Sequence, residues 1–266
     1  MAESRKVLSL VGASGIALLA LTSGAIADGY GGSVKDAPAE PARQFTYSFS
    51  ITGTSDYVFR GVSQTDNDPT IQGSIGIGYG IAYAGAWASG LDWDTDPQAE
   101  LEIDWYGGIK PTWGKATFDF GVIYYTYPGS TELTAFGDNS ILELKAGVSG
   151  EILPKLTAGA TVYYAPGVHD FEYTVVEGML AYALPKTWIF DPTVSGTLGY
   201  QDAYGPRTVV DYAYWNAGLT LAVDKLAFDF RYWDTDLSAA ECTTGFFTAT
   251  STCDQRFVFS ATVALP

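Results

Sequence analysis

From Phe45 onward the chain alternates bulky apolar residues with small or charged ones at a period of two, and few folds can use that pattern. Phe45, Tyr47, Phe49 and Ile51 interleave with Thr46, Ser48, Ser50 and Thr52. The pattern returns as Ile71, Ile75 and Ile77 against Gln72, Ser74 and Gly76, and as Leu101, Ile103 and Trp105 against Glu100, Glu102 and Asp104. Phe118, Phe120 and Val122 alternate with Thr117, Asp119 and Gly121, and Leu142, Leu144 and Ala146 with Glu143, Lys145 and Gly147. Near the end, Leu226, Phe228 and Phe230 alternate with Asp229 and Arg231, and Phe257, Phe259 and Val263 with Arg256, Ser260 and Thr262. Each segment reads as a strand with one apolar face. The stretches at 83–92, 171–183 and 207–222 alternate less cleanly and give no facing.

The apolar content is high for so little charge: 47% hydrophobic and 15% aromatic, with 17% charged, against about 25% charged in typical globular domains. No run beyond the N-terminus approaches the about 20 apolar residues of a membrane helix. The longest, Gly76 to Gly90, is interrupted by glycines that suit a helix interior poorly. Counting segments instead gives about twelve strands of the roughly 9–11 residues that a tilted membrane strand needs.

The connections alternate in length. Tight ones fall near 79–82, 111–115, 153–155, 184–191 and 222–225; longer ones fall at 61–69, 93–98, 127–139, 165–170, 201–206 and 235–254. Lys110, Lys115, Lys155, Lys186 and Lys225 sit in or beside the tight turns, whereas Asp66, Asp68, Asp94, Asp96, Glu132, Asp138, Asp170, Asp202, Asp236 and Glu241 collect in the long connections. Two differently charged ends suit a barrel with one face to each compartment. A soluble sandwich or lipocalin-like barrel has the same period. Its interior, however, would have to hold the Phe, Tyr, Trp and Ile of a dozen strands, more than a small barrel accommodates. The pattern therefore predicts an all-β, antiparallel up-and-down transmembrane β-barrel over 45–266, apolar face outward. Trp93, Trp113, Trp188, Tyr57, Tyr125, Tyr127, Tyr164, Tyr232 and Trp233 lie near strand ends, where interfacial girdles belong.

The N-terminus predicts export. Arg5 and Lys6 precede the apolar run Val7 to Leu21, and Ala25-Ile26-Ala27 supplies a small-residue cleavage site. Residues 1–27 read as a cleaved signal peptide and 28–44, rich in Gly, Ala and Pro, as a flexible periplasmic tail. Losing Arg5, Lys6 and Glu3 leaves 12 basic residues of 14 and 29 acidic of 30, a net charge of −17. That balance excludes a nucleic-acid binder, whose footprint is basic. In an exported chain Cys242 and Cys253 read as a disulfide closing a loop; a zinc site would want further ligands.

The segment SDYVFRGVSQTDNDPTIQG (Ser55 to Gly73) resembles the N-terminal signature of the TorF-like porin family, also known as Gcw_chp, most specifically in Arg60-Gly61-Val62-Ser63-Gln64. Tyr83 to Trp93 and Leu101 to Lys110 are similar to that family too. The resemblance implies an exported outer-membrane barrel with a pore role and brings no catalytic residues. Many outer-membrane barrels end in an aromatic residue that assists assembly; this chain ends Ala264-Leu265-Pro266, while Phe257 and Phe259 keep the alternation.

Continuing the first strand's phase sends Thr54, Asp56 and Arg60 to the lumen and Tyr57 and Phe59 to lipid. Four residues of extended strand separate Asp56 from Arg60 by more than about 10 Å. Each is expected to meet a charge on a neighbouring strand, with Arg60 held among lumenal acids. Glu100, Glu102, Asp104, Asp119 and Glu143 form the expected acidic wall, joined by Asp229, with Lys145, Arg231 and Arg256 as a basic minority. Carboxylate walls favour cations in pores. The expected function is a narrow, cation-preferring channel for small hydrophilic solutes or ions. The alternative is a non-conducting barrel acting as scaffold, adhesin or surface receptor through its acidic outer loops.

An enzyme is not expected. A nucleophile needs a neighbouring base, and the single histidine, His169, lies in a loop beside Asp170 with no GxSxG setting in the chain. Asp92, Asp94 and Asp96, like Asp66 with Asp68 and Asp234 with Asp236, read as solvated loop charge rather than a Ca²⁺ site. No cofactor or metal is expected. The expected partners are outer-membrane lipid, lipopolysaccharide, small hydrophilic solutes and, during biogenesis, the barrel-assembly machinery.

Overall fold

The period-two alternation becomes one sheet that bends until it meets itself. The computed structural model describes residues 45–93, 99–130, 140–167, 172–204, 210–246 and 250–265. The signal-peptide and tail expectations, together with Asp94, Asp96, Glu132, Asp138, His169 and Asp170, lie outside the described residues. The strands are β1 (Phe45–Thr54), β2 (Val58–Phe59), β3 (Val62–Ser63), β4 (Thr70–Tyr79), β5 (Ala82–Gly90), β6 (Leu101–Ile109), β7 (Thr112–Trp113), β8 (Ala116–Thr126), β9 (Ile141–Leu153) and β10 (Leu156–Pro166). They continue as β11 (Glu172–Ala183), β12 (Asp191–Ala203), β13 (Tyr212–Val223), β14 (Leu226–Thr235) and β15 (Arg256–Leu265), with helix α1 (Ala239–Phe246) and a 3-10 turn (Thr250–Cys253) before the last strand.

All neighbours are antiparallel, and β15 returns to pair with β1 from Phe49↔Leu265 to Thr54↔Ser260. That pairing of the last strand with the first closes the ring, while β6 and β8, neighbours along the chain, pair from Ile103↔Thr126 to Ile109↔Phe120. The short β7 prolongs β6 after Pro111, whose missing N–H breaks the ladder. The result is the closed twelve-stranded barrel that the alternation predicts, with β2 and β3 as a separate hairpin inside the first long connection. The five short turns gather at one end, called here the turn end. The six long connections gather at the loop end.

The exterior is apolar. Phe45, Tyr47, Ile71, Ile75, Trp105, Leu180, Leu198, Phe230 and Phe259 are all exposed. Strands of 9–13 residues, rising about 3.3 Å per residue and tilted, match an apolar band about 25 Å tall. Strand β5 was ambiguous by sequence because its outward side is small: Tyr83 and Trp87 reach inward to lumenal partners, leaving Ala82, Ala84, Ala86 and Ala88 outside.

The aromatic girdle needs correction. Trp113 and Trp188 are fully outward at the turn end, and Tyr164 and Tyr232 also face out. Tyr57, Tyr125 and Trp233 instead lie buried inside the barrel. Their reason is the hairpin described below, which needs apolar walls around it.

An outward position at mid-strand has only lipid to satisfy a charge. Ile75→Arg should therefore lower stability in urea unfolding from lipid vesicles by about 2–4 kcal/mol. An unchanged midpoint would mean that this face meets water.

Candidate functional site

The first long connection does not stay outside the barrel. After Thr54 the strand phase breaks, and Val58↔Ser63 and Phe59↔Val62 pair in a hairpin turned by Arg60 and Gly61. Both turn residues have positive φ, 48° and 85°. That is the backbone of the mirror-image turns whose twist matches a two-residue hairpin. Gly61 is required twice over, because a Cβ there would also sit 2.3 Å from Thr235 Cγ2 and 3.1 Å from Tyr214 Cβ. The hairpin thus points into the loop-end half of the lumen and plugs it.

Its apolar residues find a core inside the barrel. Val62 packs with Ala165, Tyr173, Val175, Tyr212, Tyr214, Cys242 and Cys253; Val58 packs with Trp233 and Val258. Tyr57, expected to face lipid, is 3% exposed and meets Trp87 edge-on at 5.1 Å. Phe59, also expected outside, lies 5.9 Å from Tyr125. Both corrections share a cause: strand phase cannot be carried through a segment that leaves the sheet.

Two ion pairs hold the plug. Arg60 Nη2 meets Glu143 Oε1 of β9 at 2.7 Å, with both side chains almost sealed from solvent, at 3% and 0% exposure. Phe59, Tyr163 and Tyr173 present their rings to the guanidinium at 4.6, 5.0 and 5.6 Å, and Tyr125 donates its hydroxyl to Glu143 Oε2 at 2.7 Å. At the base of the hairpin, Arg256 Nη1 of β15 donates to Asp56 Oδ2 at 2.9 Å. Ser63 and Thr65 donate their hydroxyls to Asp56 Oδ1 at 2.7 and 3.0 Å. Asp56 and Arg60 each pair with a different strand and not with each other.

The last long connection closes over this assembly. Ser238 caps α1, exchanging bonds with Glu241 in a capping box: its amide and hydroxyl donate to Glu241 Oε2, and the Glu241 amide donates back to Ser238 Oγ. Those donations hold the Glu241 carboxyl below its ordinary range. The contribution is present above the ordinary carboxylate pKa and fades as the pH falls through the lowered one. Cys242 and Cys253 form the expected disulfide. It does not stiffen a free loop; both cysteines are buried against the plug. Arg256 Nη2 donates to the Ser251 carbonyl at 2.8 Å, stitching this lid to the plug.

The turn-end half of the lumen is polar. Asp119 accepts from Tyr83 Oη at 2.6 Å and pairs with Lys145 Nζ at 2.6 Å and Lys110 Nζ at 3.8 Å. Arg231 is clamped by Asp229, Asn216 and Ser195. Ser50 with Ser74 and Thr52 with Thr262 share hydroxyl bonds across strands. Of the residues expected in the acidic wall, Glu100 is exposed ahead of β6. Glu102 and Asp104 are buried on β6, at 3% and 1% exposure. Sequence reasoning missed three lumenal groups: Glu177, which accepts from Tyr214 Oη at 2.6 Å; Lys110; and Tyr83. The blurred alternation of β5 and β11 hid Tyr83 and Glu177. Lys110 stands beside a tight turn, and its sequence position alone does not show that it reaches Asp119.

The family model described as "Bacterial protein of unknown function (Gcw_chp)" matches residues 38–264. The chain belongs to that family. No curated protein matches it. Among solved structures, the fold is similar to the KdgM porin, with TM-score 0.54 and 8% identity, covering 82% of this chain and 99% of that one. The NanC porin is similar as well, at TM-score 0.52 and 8% identity, with the same coverage. At such identity the likeness shows a shared barrel fold.

Removing one partner of a buried ion pair strands the other. Arg60→Ala should lower stability by about 3–5 kcal/mol, and Arg60→Met with Glu143→Leu should recover most of it. Urea unfolding of the refolded variants checks this; additive losses in the double variant would mean the two groups do not act as a pair. Replacing both cysteines by Ala should lower stability by roughly 2–3 kcal/mol, from loop entropy alone. It should also open the 55–69 segment to protease, and unchanged cleavage would separate the lid from the plug.

Proposed function

We propose that the protein is a narrow outer-membrane channel of the TorF-like kind, passing small hydrophilic solutes or ions by diffusion and preferring cations. The observation that carries this reading is the pairing of an apolar exterior with a hydroxyl- and charge-lined lumen whose loop-end half is constricted by a loop of the same chain. A barrel of twelve strands is wider than the eight-stranded kind that side chains can fill, so an inserted hairpin sets the bore. The KdgM and NanC neighbours, both named porins, support the reading at the level of fold. In it the turn end faces the periplasm and the acidic long connections face outward among lipopolysaccharide. A signal peptide supplies export, the barrel-assembly machinery inserts the chain, and no catalysis takes place.

One observation favours a second reading. The plug and the disulfide-bonded lid fill the loop end so well that the barrel could present a rigid outer surface and conduct nothing, acting as a scaffold, adhesin or receptor. Planar-bilayer recording of the refolded protein under a potassium chloride gradient separates the two. The channel reading expects small unitary steps, a reversal potential displaced toward that of potassium, and larger steps in Arg60→Ala. Silent bilayers for both proteins would leave the second reading standing.

A further inference from the structure

Most charges inside the barrel sit in ion pairs, and Glu177 takes the Tyr214 hydroxyl. Arg60 is committed to Glu143, Arg256 to Asp56, Lys145 and Lys110 to Asp119, and Arg231 to Asp229. Glu102 and Asp104, two residues apart on the inward face of β6, have no Lys or Arg partner among the described residues. Among the described residues no N–H or hydroxyl donor reaches either Asp104 carboxylate oxygen, although the residue is 1% exposed; its side-chain neighbour is the Glu102 carboxyl. A buried carboxylate with no donor is strongly unfavourable and takes up a proton or a cation, so two adjoining ones have an affinity for positive charge.

The surroundings say which kind. In register, Asp104 is flanked by Trp87 of β5 and Tyr125 of β8. Tyr57 stands edge-on to Trp87, Trp93 and Tyr127 are 4.9 Å apart, and these rings with Tyr106 form one cluster. The Glu102 carboxyl lies within hydrogen-bonding reach of the Tyr57 and Tyr127 hydroxyls and of Asp104. Aromatic faces attract ammonium groups. Open carboxylate oxygens want N–H donors, which a primary ammonium has and a quaternary one lacks. No group of three or more His, Cys, Asp or Glu among the described residues is placed to hold a metal ion.

We propose that Glu102 and Asp104, walled by Tyr57, Trp87, Tyr106 and Tyr127, form a binding site for a small primary ammonium cation on the flank of the plug. This deepens the channel reading and rests on it for the ligand's route into the barrel. The site makes the constriction a selective step, at which a protonated amine exchanges water for two carboxylates and a ring face.

The test uses the full chain refolded in detergent, with tryptophan emission as the reporter because Trp87 lies beside Asp104. At constant ionic strength, methylammonium chloride is expected to change the emission saturably. Its half-saturation should lie at least about tenfold below that of tetramethylammonium, since a charged hydrogen bond is at stake. The response should be lost in Asp104→Asn and in Glu102→Gln, variants that remove an unpaired buried charge and keep the fold. An unsaturable response, an equal response to sodium or tetramethylammonium, or an unchanged response in Asp104→Asn would overturn the site. Binding in detergent without bilayer conductance would keep the site and sink the channel. Conductance with no methylammonium response would do the reverse.

Discussion

A strand in hydrocarbon has no water to satisfy its N–H and C=O groups, so every ladder must end on another ladder. Here that condition is met at one seam, where the last strand, β15, pairs with the first, β1, from Phe49↔Leu265 to Thr54↔Ser260. Closure forces the rest. Once the sheet is a ring, alternate residues have only two destinations, lipid or lumen. The chain's Phe, Tyr, Ile and Leu take the first and its hydroxyls and charges take the second. Closure also creates an interior too wide for short side chains to fill, and at the loop end the chain fills it with its own first connection.

The plug is local in origin and global in its attachment. Its turn is written in two adjacent residues, Arg60 and Gly61, that adopt positive φ. The same arginine, displayed at the tip of the hairpin, reaches Glu143 on β9 across the lumen. A buried ion pair of this kind adds little net stability over a well-packed apolar pair of similar volume. What it adds is position. A hairpin held only by Val58 and Val62 could slide along apolar walls, whereas the guanidinium satisfies the Glu143 carboxylate at one depth only. The capped helix and the disulfide then close over a plug whose register is already set.

The architecture was legible because period two survives wherever a strand contacts lipid: β1, β4, β6, β8, β9, β14 and β15 can be read from their alternation. Legibility failed where another constraint outranked the lipid. β5 carries alanines outward because Tyr83 and Trp87 are spent inward, so its apolar face looked polar-neutral. The strand phase sends Tyr57 and Phe59 to lipid because nothing in SDYVFRG announces that the strand stops at Thr54. The Arg-Gly pair was the available signal, being a two-residue turn between short extended runs. Tyr125 and Trp233 looked like girdle residues by position; only the presence of a plug explains aromatic rings on the wet side of a barrel.

Charge shows the sharpest gap between composition and structure. By sequence, the acids on adjacent strands form a wall, and a wall of carboxylates implies a field that attracts cations. In three dimensions half of that wall is neutralised residue by residue, with Asp119 between two lysines, Asp229 against Arg231 and Glu143 against Arg60, and Asp56 is likewise held against Arg256. A neutralised pair contributes a dipole, whose reach is short. Selectivity in such a lumen therefore cannot be summed from the count of acids. In the proposed channel it is concentrated at Glu102 and Asp104, two acids on one face of one strand with no basic neighbour among the described residues. Even a small excess at that point, behind a plug that narrows the path and thins the water, acts more strongly on a passing ion than a larger excess spread along a wide wet wall.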